Sequence, residues 1–199
     1  AACAALSAEE KRRALAWMVG WDNEPCKRIR ISTRQDGGIR TENCILFGKD
    51  GRKLPFVRLV PENWDGRRVR LLLSDAGKAC LAQPAAQNLL AEGCAVVSGD
   101  LFLTGEYLPA AANYEKLVGE SRFYTTFHYT ADACRVQDTA AFLRAAAELG
   151  SDVMLRAQGR TARIAACALA LCGGVQSAQL DAAALPAENG EDPGKELCI

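Results

Sequence analysis

The rhythm of apolar and polar positions changes about a third of the way along the chain. Residues 7–19, "SAEEKRRALAWMV", carry helical spacing, with Ser7 placed to cap and Glu10 at the capping-box position. From there the period drops to two. "RIRISTRQ" (28–35) alternates isoleucine with arginine and polar residues, and predicts a half-exposed strand. "DGG" (36–38) is a turn signal leading into "IRTENCILFG" (39–48), and "KDGR" (49–52) leads into "KLPFVRLVP" (53–61). Pro55 falls near the start of that third strand, where a missing donor matters least. The first third therefore predicts antiparallel strands.

Beyond residue 66 apolar runs alternate with helical patterns. Strands are predicted at 67–75, 94–100, 151–158 and 174–182, and helices at 83–93, 130–150 and 160–172. Strands alternating with helices imply right-handed crossover units and a parallel sheet. The stretch 102–130 reads as loop-rich. The tail from 183 is rich in Pro, Gly and acid, and reads as loop. The expected organisation is a helix and linker (1–27), one α/β domain (28–182) and the tail (183–199).

Composition narrows the class. Of 199 residues, 49% are apolar and 24% charged, the balance of a globular domain with a substantial core. The 24 basic and 24 acidic residues cancel, which argues against broad electrostatic binding of nucleic acid. No apolar run approaches the roughly 18 residues of a membrane span. Nine cysteines are scattered in odd number and without a CxxC, and there is one histidine. They read as free buried thiols rather than a disulfide framework or a zinc set, and favour a reducing compartment. No cofactor or metal site is expected. The opening "AACAALSAEEKRR" is not a signal peptide, and the chain is expected to be a piece of a larger protein.

In a parallel α/β sheet, ligands gather at the carboxyl ends of the strands. Four such ends are visible: "SDAGK" (74–78), "SGDLFLTGE" (98–106), "RAQGRTA" (156–162) and "LDAAALP" (180–186). "SDAGK" lacks P-loop spacing, and no GxGxxG follows a strand, so a nucleotide site is not expected. The third end is a buried strand, a tight turn and an apolar helix, the geometry of a nucleophile elbow. Its apex residue is Gly159, which has no side chain, with Arg160 and Thr161 beside it. Thr161 is expected to cap locally rather than attack. His128, among aromatics, reads as a packing or loop residue, and nothing pairs it with Cys134 six positions on. Arg135 and Asp138 are one turn apart at i, i+3, and a structural role is expected for them. Asp138 is read as lying near its helix start.

The order of these motifs resembles the α/β-hydrolase superfamily, and more closely the acetyl-xylan-esterase-like bacterial proteins of that fold. "GCAVVSGDLFLTGE" is similar to their G-x-x-V-x-x-x-D-x-R-G-x-G-E segment: Asp100, Gly105 and Glu106 match, while Phe102 and Leu103 stand in place of Arg-Gly. "ACRVQDTAAFLRA" resembles the R-x-x-D helix that precedes their elbow. The resemblance spans about residues 28–182. It implies an α/β fold with a mostly parallel, doubly wound sheet, an antiparallel N-terminal part, and C-terminal strands missing from this chain.

It also implies ester hydrolysis, often on carbohydrates, with two departures. The family elbow is G-x-S-x-G, and here Ala157, Gly159 and Thr161 hold those three places, so the serine is absent. The family's acid and histidine follow its seventh and eighth strands, beyond the strand at 174–182. Losing the nucleophile costs several orders of magnitude in rate. The expectation is a catalytically degenerate domain that keeps an oxyanion-type pocket from the backbone at Ala76, Gly77 and Arg160. That pocket would hold an acyl ester or carbohydrate without turnover. An active esterase completed by further sequence, and a purely structural or interaction module, are the alternatives. Self-association through an uncovered sheet edge is expected as well.

Overall fold

The structure is a computed structural model that describes residues 6–22, 26–48, 51–120, 126, 128–181 and 183. Helix α1 (Ala8–Met18) starts where the capping box predicts: the Glu10 amide donates to Ser7 Oγ at 3.2 Å, and the Ser7 amide donates back to Glu10 Oε2 at 2.8 Å. Strands β1 (Lys27–Asp36) and β2 (Ile39–Phe47) meet at Gly37-Gly38, whose φ values are +53° and +76°. A two-residue hairpin turn with both central φ positive matches strand twist, and glycine supplies it without a Cβ penalty. Strand β3 (Lys53–Pro61) follows, antiparallel to β2. The ladder between β1 and β2 shifts at a bulge between Arg30 and Ser32.

The alternating region then builds β4 (Arg68–Leu73), α2 (Pro84–Ala91), β5 (Ala95–Gly99), α3 (Leu108–Glu120), α4 (Ala131–Ala147), β6 (Asp152–Ala157), α5 (Thr161–Cys172) and β7 (Ser177–Leu180). All seven strands form one sheet, ordered β1-β2-β3-β5-β4-β6-β7. β4 is parallel to β5 and β6, and β6 to β7, while β3 runs antiparallel to β5. The α/β class and the antiparallel opening thus stand as the sequence predicts.

The two sheet faces carry different cores. Val69, Leu71, Leu73, Val153 and Leu155 point to the face covered by α4 and α5, where Phe142 stacks on Phe56 with ring centroids 5.3 Å apart. The intervening Leu72 and Val96 point the other way, against Ala86 and Leu90 of α2. Alternation along a strand fixes this division. Gly99 ends β5 because a Cβ there would overlap the Phe142 ring. Helix α1 joins the first core through Leu15 and Ala16, and Arg12 Nε donates to the Leu171 carbonyl at 3.0 Å. The same face buries an ion pair. Arg58 Nη1 lies 3.6 Å from Glu42, and Arg58 Nη2 donates to the Ala145 carbonyl at 3.1 Å. Burial lowers the Arg58 pKa.

Three expectations need correction. Strand β1 is exposed along its whole length rather than half-exposed, both isoleucines included. The stretch 102–130 is not all loop: it holds α3, thirteen residues with none buried. Its helical period was masked because Leu108 and Leu117 face solvent while only Ala111, Tyr114 and Val118 are half-covered. Asp138 does not lie near a helix start; it is the eighth residue of α4 and is buried. The tail lies outside the described residues apart from residue 183.

Candidate functional site at the carboxyl ends of the parallel strands

The chain leaves β4 toward β5, with α2 on one sheet face, and leaves β6 toward β7, with α5 on the other. Loops that part in this way open a crevice between β4 and β6, the usual ligand position in an open α/β sheet. An aspartate stands one or two residues past three of the four parallel strands: Asp75 two beyond β4, Asp100 next after β5 and Asp181 next after β7.

Asp100 ties the β4 and β5 loops together. Its carboxylate is fully buried and accepts from the Lys78 amide at 2.8 Å, the Lys78 ammonium at 2.7 Å and the Glu106 amide at 3.1 Å. Gly77 and Gly105, at φ +60° and +53°, leave room for it; a Cβ at either would overlap the carboxylate. Lys78 also reaches Glu106 at 2.6 Å. Its burial alone would lower its pKa, but hydrogen bonds and charge from Asp100 and Glu106 outweigh this and raise it.

Leu103 has φ +58°, among the described residues the one non-glycine in that region. It stands where the resembling family carries glycine, so the loop keeps a glycine-like bend under a leucine side chain. Phe102 replaces the family's arginine. Its amide donates to Asp138 Oδ2 at 2.8 Å, and the Arg52 guanidinium lies over its ring and 3.0 Å from Asp138. Arg135 turns away from Asp138: it binds Asp132 at 2.9 Å and the Phe102 carbonyl at 2.9 Å. The R-x-x-D residues therefore hold the β5 loop against α4 through separate contacts.

The turn after β6 has the elbow's shape. Gly159 sits at φ +64° between the strand and α5, and the Ala162 amide closes onto the Gly159 carbonyl at 3.0 Å. No side chain of the turn caps α5. Asp75 does so from across the crevice. It accepts from the Arg160 amide at 3.1 Å, the Thr161 amide at 3.0 Å and the Thr161 hydroxyl at 2.8 Å. The Gly159 amide points instead to Asp181 Oδ2 at 3.3 Å. A carboxylate is favourable here because the helix dipole and unsatisfied N–H groups favour negative charge.

The residues expected to form an open oxyanion-type pocket are placed as follows. The Arg160 amide is engaged by Asp75, and the Gly77 amide by the Ser74 carbonyl at 2.9 Å. Ala76 is exposed beside a shallow, open depression lined by Val57, Leu81, Lys78 and Glu106. Thr161 is buried and spends its hydroxyl on Asp75. His128 is exposed on the segment before α4, and Cys134 is buried within that helix. None of the seven described cysteines forms a disulfide, and burial pushes the thiols of Cys26, Cys44, Cys80, Cys167 and Cys172 up, away from the reactive thiolate. Among the described residues no three His, Cys, Asp or Glu side chains gather as metal ligands. No described helix is long and apolar enough to cross a membrane.

Asp75 and Asp181 were not singled out from the sequence. The available signal was positional: an aspartate one or two residues past the end of each of these strands, where it can reach the neighbouring loop.

The strand order, the mixed sheet and the strand–turn–helix at 152–172 match an α/β-hydrolase-type fold. Comparison with solved structures agrees. A candidate acetyl xylan esterase from Bacteroides fragilis NCTC 9343 superposes with a TM-score of 0.67 at 16% identity, over 86% of this chain and 51% of that one. Acetyl xylan esterase 1 from Thermoanaerobacterium sp. JW/SL YS485 gives 0.57 at 16% identity, over 86% and 56%. The acetyl xylan esterase from Paenibacillus sp. R4 gives 0.56 at 15%, over 85% and 56%. The chain thus spans about half the length of these esterases. No family sequence model matches the chain, and no curated protein sequence matches it significantly.

Proposed function

We propose that this chain is an α/β-hydrolase-fold domain, related to carbohydrate acetyl esterases, that does not hydrolyse esters through its elbow. One observation carries the reading. The apex is Gly159, and the amides that would face a substrate oxyanion at the start of α5 already hold the Asp75 carboxylate. Neither a nucleophile nor a vacant anion site is available there. On this reading the domain serves as a binding or accessory module. The depression beside Lys78 and Glu106 is then the place for an acyl-ester or carbohydrate ligand.

Hydrolysis of p-nitrophenyl acetate, with a serine-directed phosphonate as covalent probe, tests this. The expected result is no turnover above that of an Arg160→Ala/Thr161→Ala variant, and no label. Turnover abolished by that variant, or a labelled residue in the turn, overturns the reading.

The alternative is an esterase completed by further sequence, favoured by the coverage of only about half of each solved esterase. Assaying a longer natural chain that contains these residues separates the two. Activity there that depends on a residue outside 1–199 supports the alternative.

A further inference from the structure

We infer that β1 is a docking edge for an extended acidic segment of a partner protein, added to the sheet as a further strand. β1 ends the strand order, and its ladder among the described residues is with β2 alone. Alternate N–H and C=O groups of an edge strand point away from its neighbour and are left for another chain. The strand has ten residues, all exposed, whereas β7 at the other edge has four. Ile29 is 39% exposed and Ile31 60%. A long edge with exposed aliphatic side chains is a template for strand addition.

Register assigns the side chains of β1 to the two sheet faces. Arg28 and Arg30 stand opposite Leu46 and Cys44, which belong to the core under α4 and α5, so both arginines lie on that face. Ile29 stands opposite Ile45 and takes the other face. Ile31, in the bulge between Arg30 and Ser32, adds to the exposed apolar surface. A strand laid along β1 therefore meets guanidinium groups on one face and an aliphatic side chain on the other.

Charge selects the occupant. β1 carries Lys27, Arg28, Arg30 and Arg34 against one acid, Asp36. Arg34 is held by Asp36 at 2.8 Å and Arg28 by Glu148 at 3.0 Å. Arg30 has only a share of Glu42, 3.6 Å away, which Arg40 at 3.2 Å and Arg58 at 3.6 Å also approach. Three guanidinium groups around one carboxylate leave positive charge in excess beside the edge. A second copy would pair β1 with β1 about a twofold axis and set these basic residues against each other, which is unfavourable. The same charges attract a strand that carries carboxylates, so they exclude one occupant and favour the other. The class assigned is an extended segment in which acidic and β-branched residues alternate.

The test titrates the whole chain with a fluorescein-labelled peptide as long as β1, alternating glutamate and valine, read by anisotropy and by backbone amide hydrogen exchange. The expected result is saturable binding with slowed exchange at β1, and none with a lysine–valine peptide. Two N-methylated versions, blocked at the valine or at the glutamate amides, keep the charge. The one whose blocked amides face β1 should bind about tenfold more weakly, since the ladder carries the affinity. Lys27→Gln/Arg30→Gln leaves Glu42 with Arg40 and Arg58, and should weaken the acidic peptide about fivefold. Far-UV circular dichroism checks the fold of that variant. Equal affinity for the parent peptide and both N-methylated versions overturns the inference, because charge alone then suffices. So does a lack of saturable binding, slowed exchange away from β1, or unchanged affinity in the folded variant. Sedimentation showing a dimer of the chain with β1 protected in it overturns the inference as well, in favour of a second copy.

Discussion

Asp100 and Asp75 use the same device to opposite effect. Each reaches from a strand end to two backbone amides, at least one of them in another loop, and each excludes a Cβ from a glycine beside it. Asp100 is buried and carries a lysine with it, so it fastens the β4 and β5 loops to each other. Asp75 is exposed and engages a helix start across the crevice. A buried carboxylate with a cationic partner is structural by position. The same group exposed at the switch point serves as a cap, supplied from another strand.

The largest test of this contrast is Asp100→Ala. It leaves Lys78 beside an unfilled polar hole and should cost about 3–5 kcal/mol, seen as a lower urea midpoint. Asp75→Ala removes only a helix cap and should cost about 0.5–2 kcal/mol. A loss for Asp75→Ala as large as that for Asp100→Ala would erase the distinction. At Leu103, glycine would relieve a left-handed backbone worth about 1–2 kcal/mol but forfeit a buried side chain worth about 1.5–3 kcal/mol. Leu103→Gly should therefore lie within about 2 kcal/mol of the parent, and Leu103→Val, branched at Cβ, should be the less stable of the two.

The smallest expected effect is in pH dependence. Lys78 has its folded pKa raised above the unfolded value of 10.5. Its contribution is thus complete below that value and lost as pH rises through the folded pKa. Urea midpoints between pH 9 and 12 should fall more steeply for the parent than for Lys78→Gln. A parallel fall in both would remove Lys78 from the account.

Much of the fold is legible along the chain because period-two and period-3.6 patterns are local. The hairpin at Gly37-Gly38, the Ser7 cap and the strand–turn–helix at 152–172 all follow from neighbours within a few positions. Helix α3 escaped because its covered stripe is narrow and half-exposed. The glycine at the apex of the turn was equally legible, being a single residue read straight off the chain. Its occupied helix start was not, because Asp75 and Thr161 are 86 positions apart in sequence and adjoin only once β4 and β6 pair.

Gly159 and Asp75 also restrict how this chain could change over time. A serine introduced at 159 would have to accept a positive φ and displace the Asp75 carboxylate. A smaller residue at 75 makes room but leaves no hydroxyl to use it. A side chain at 159 is therefore coupled to position 75, and the two positions are best changed together.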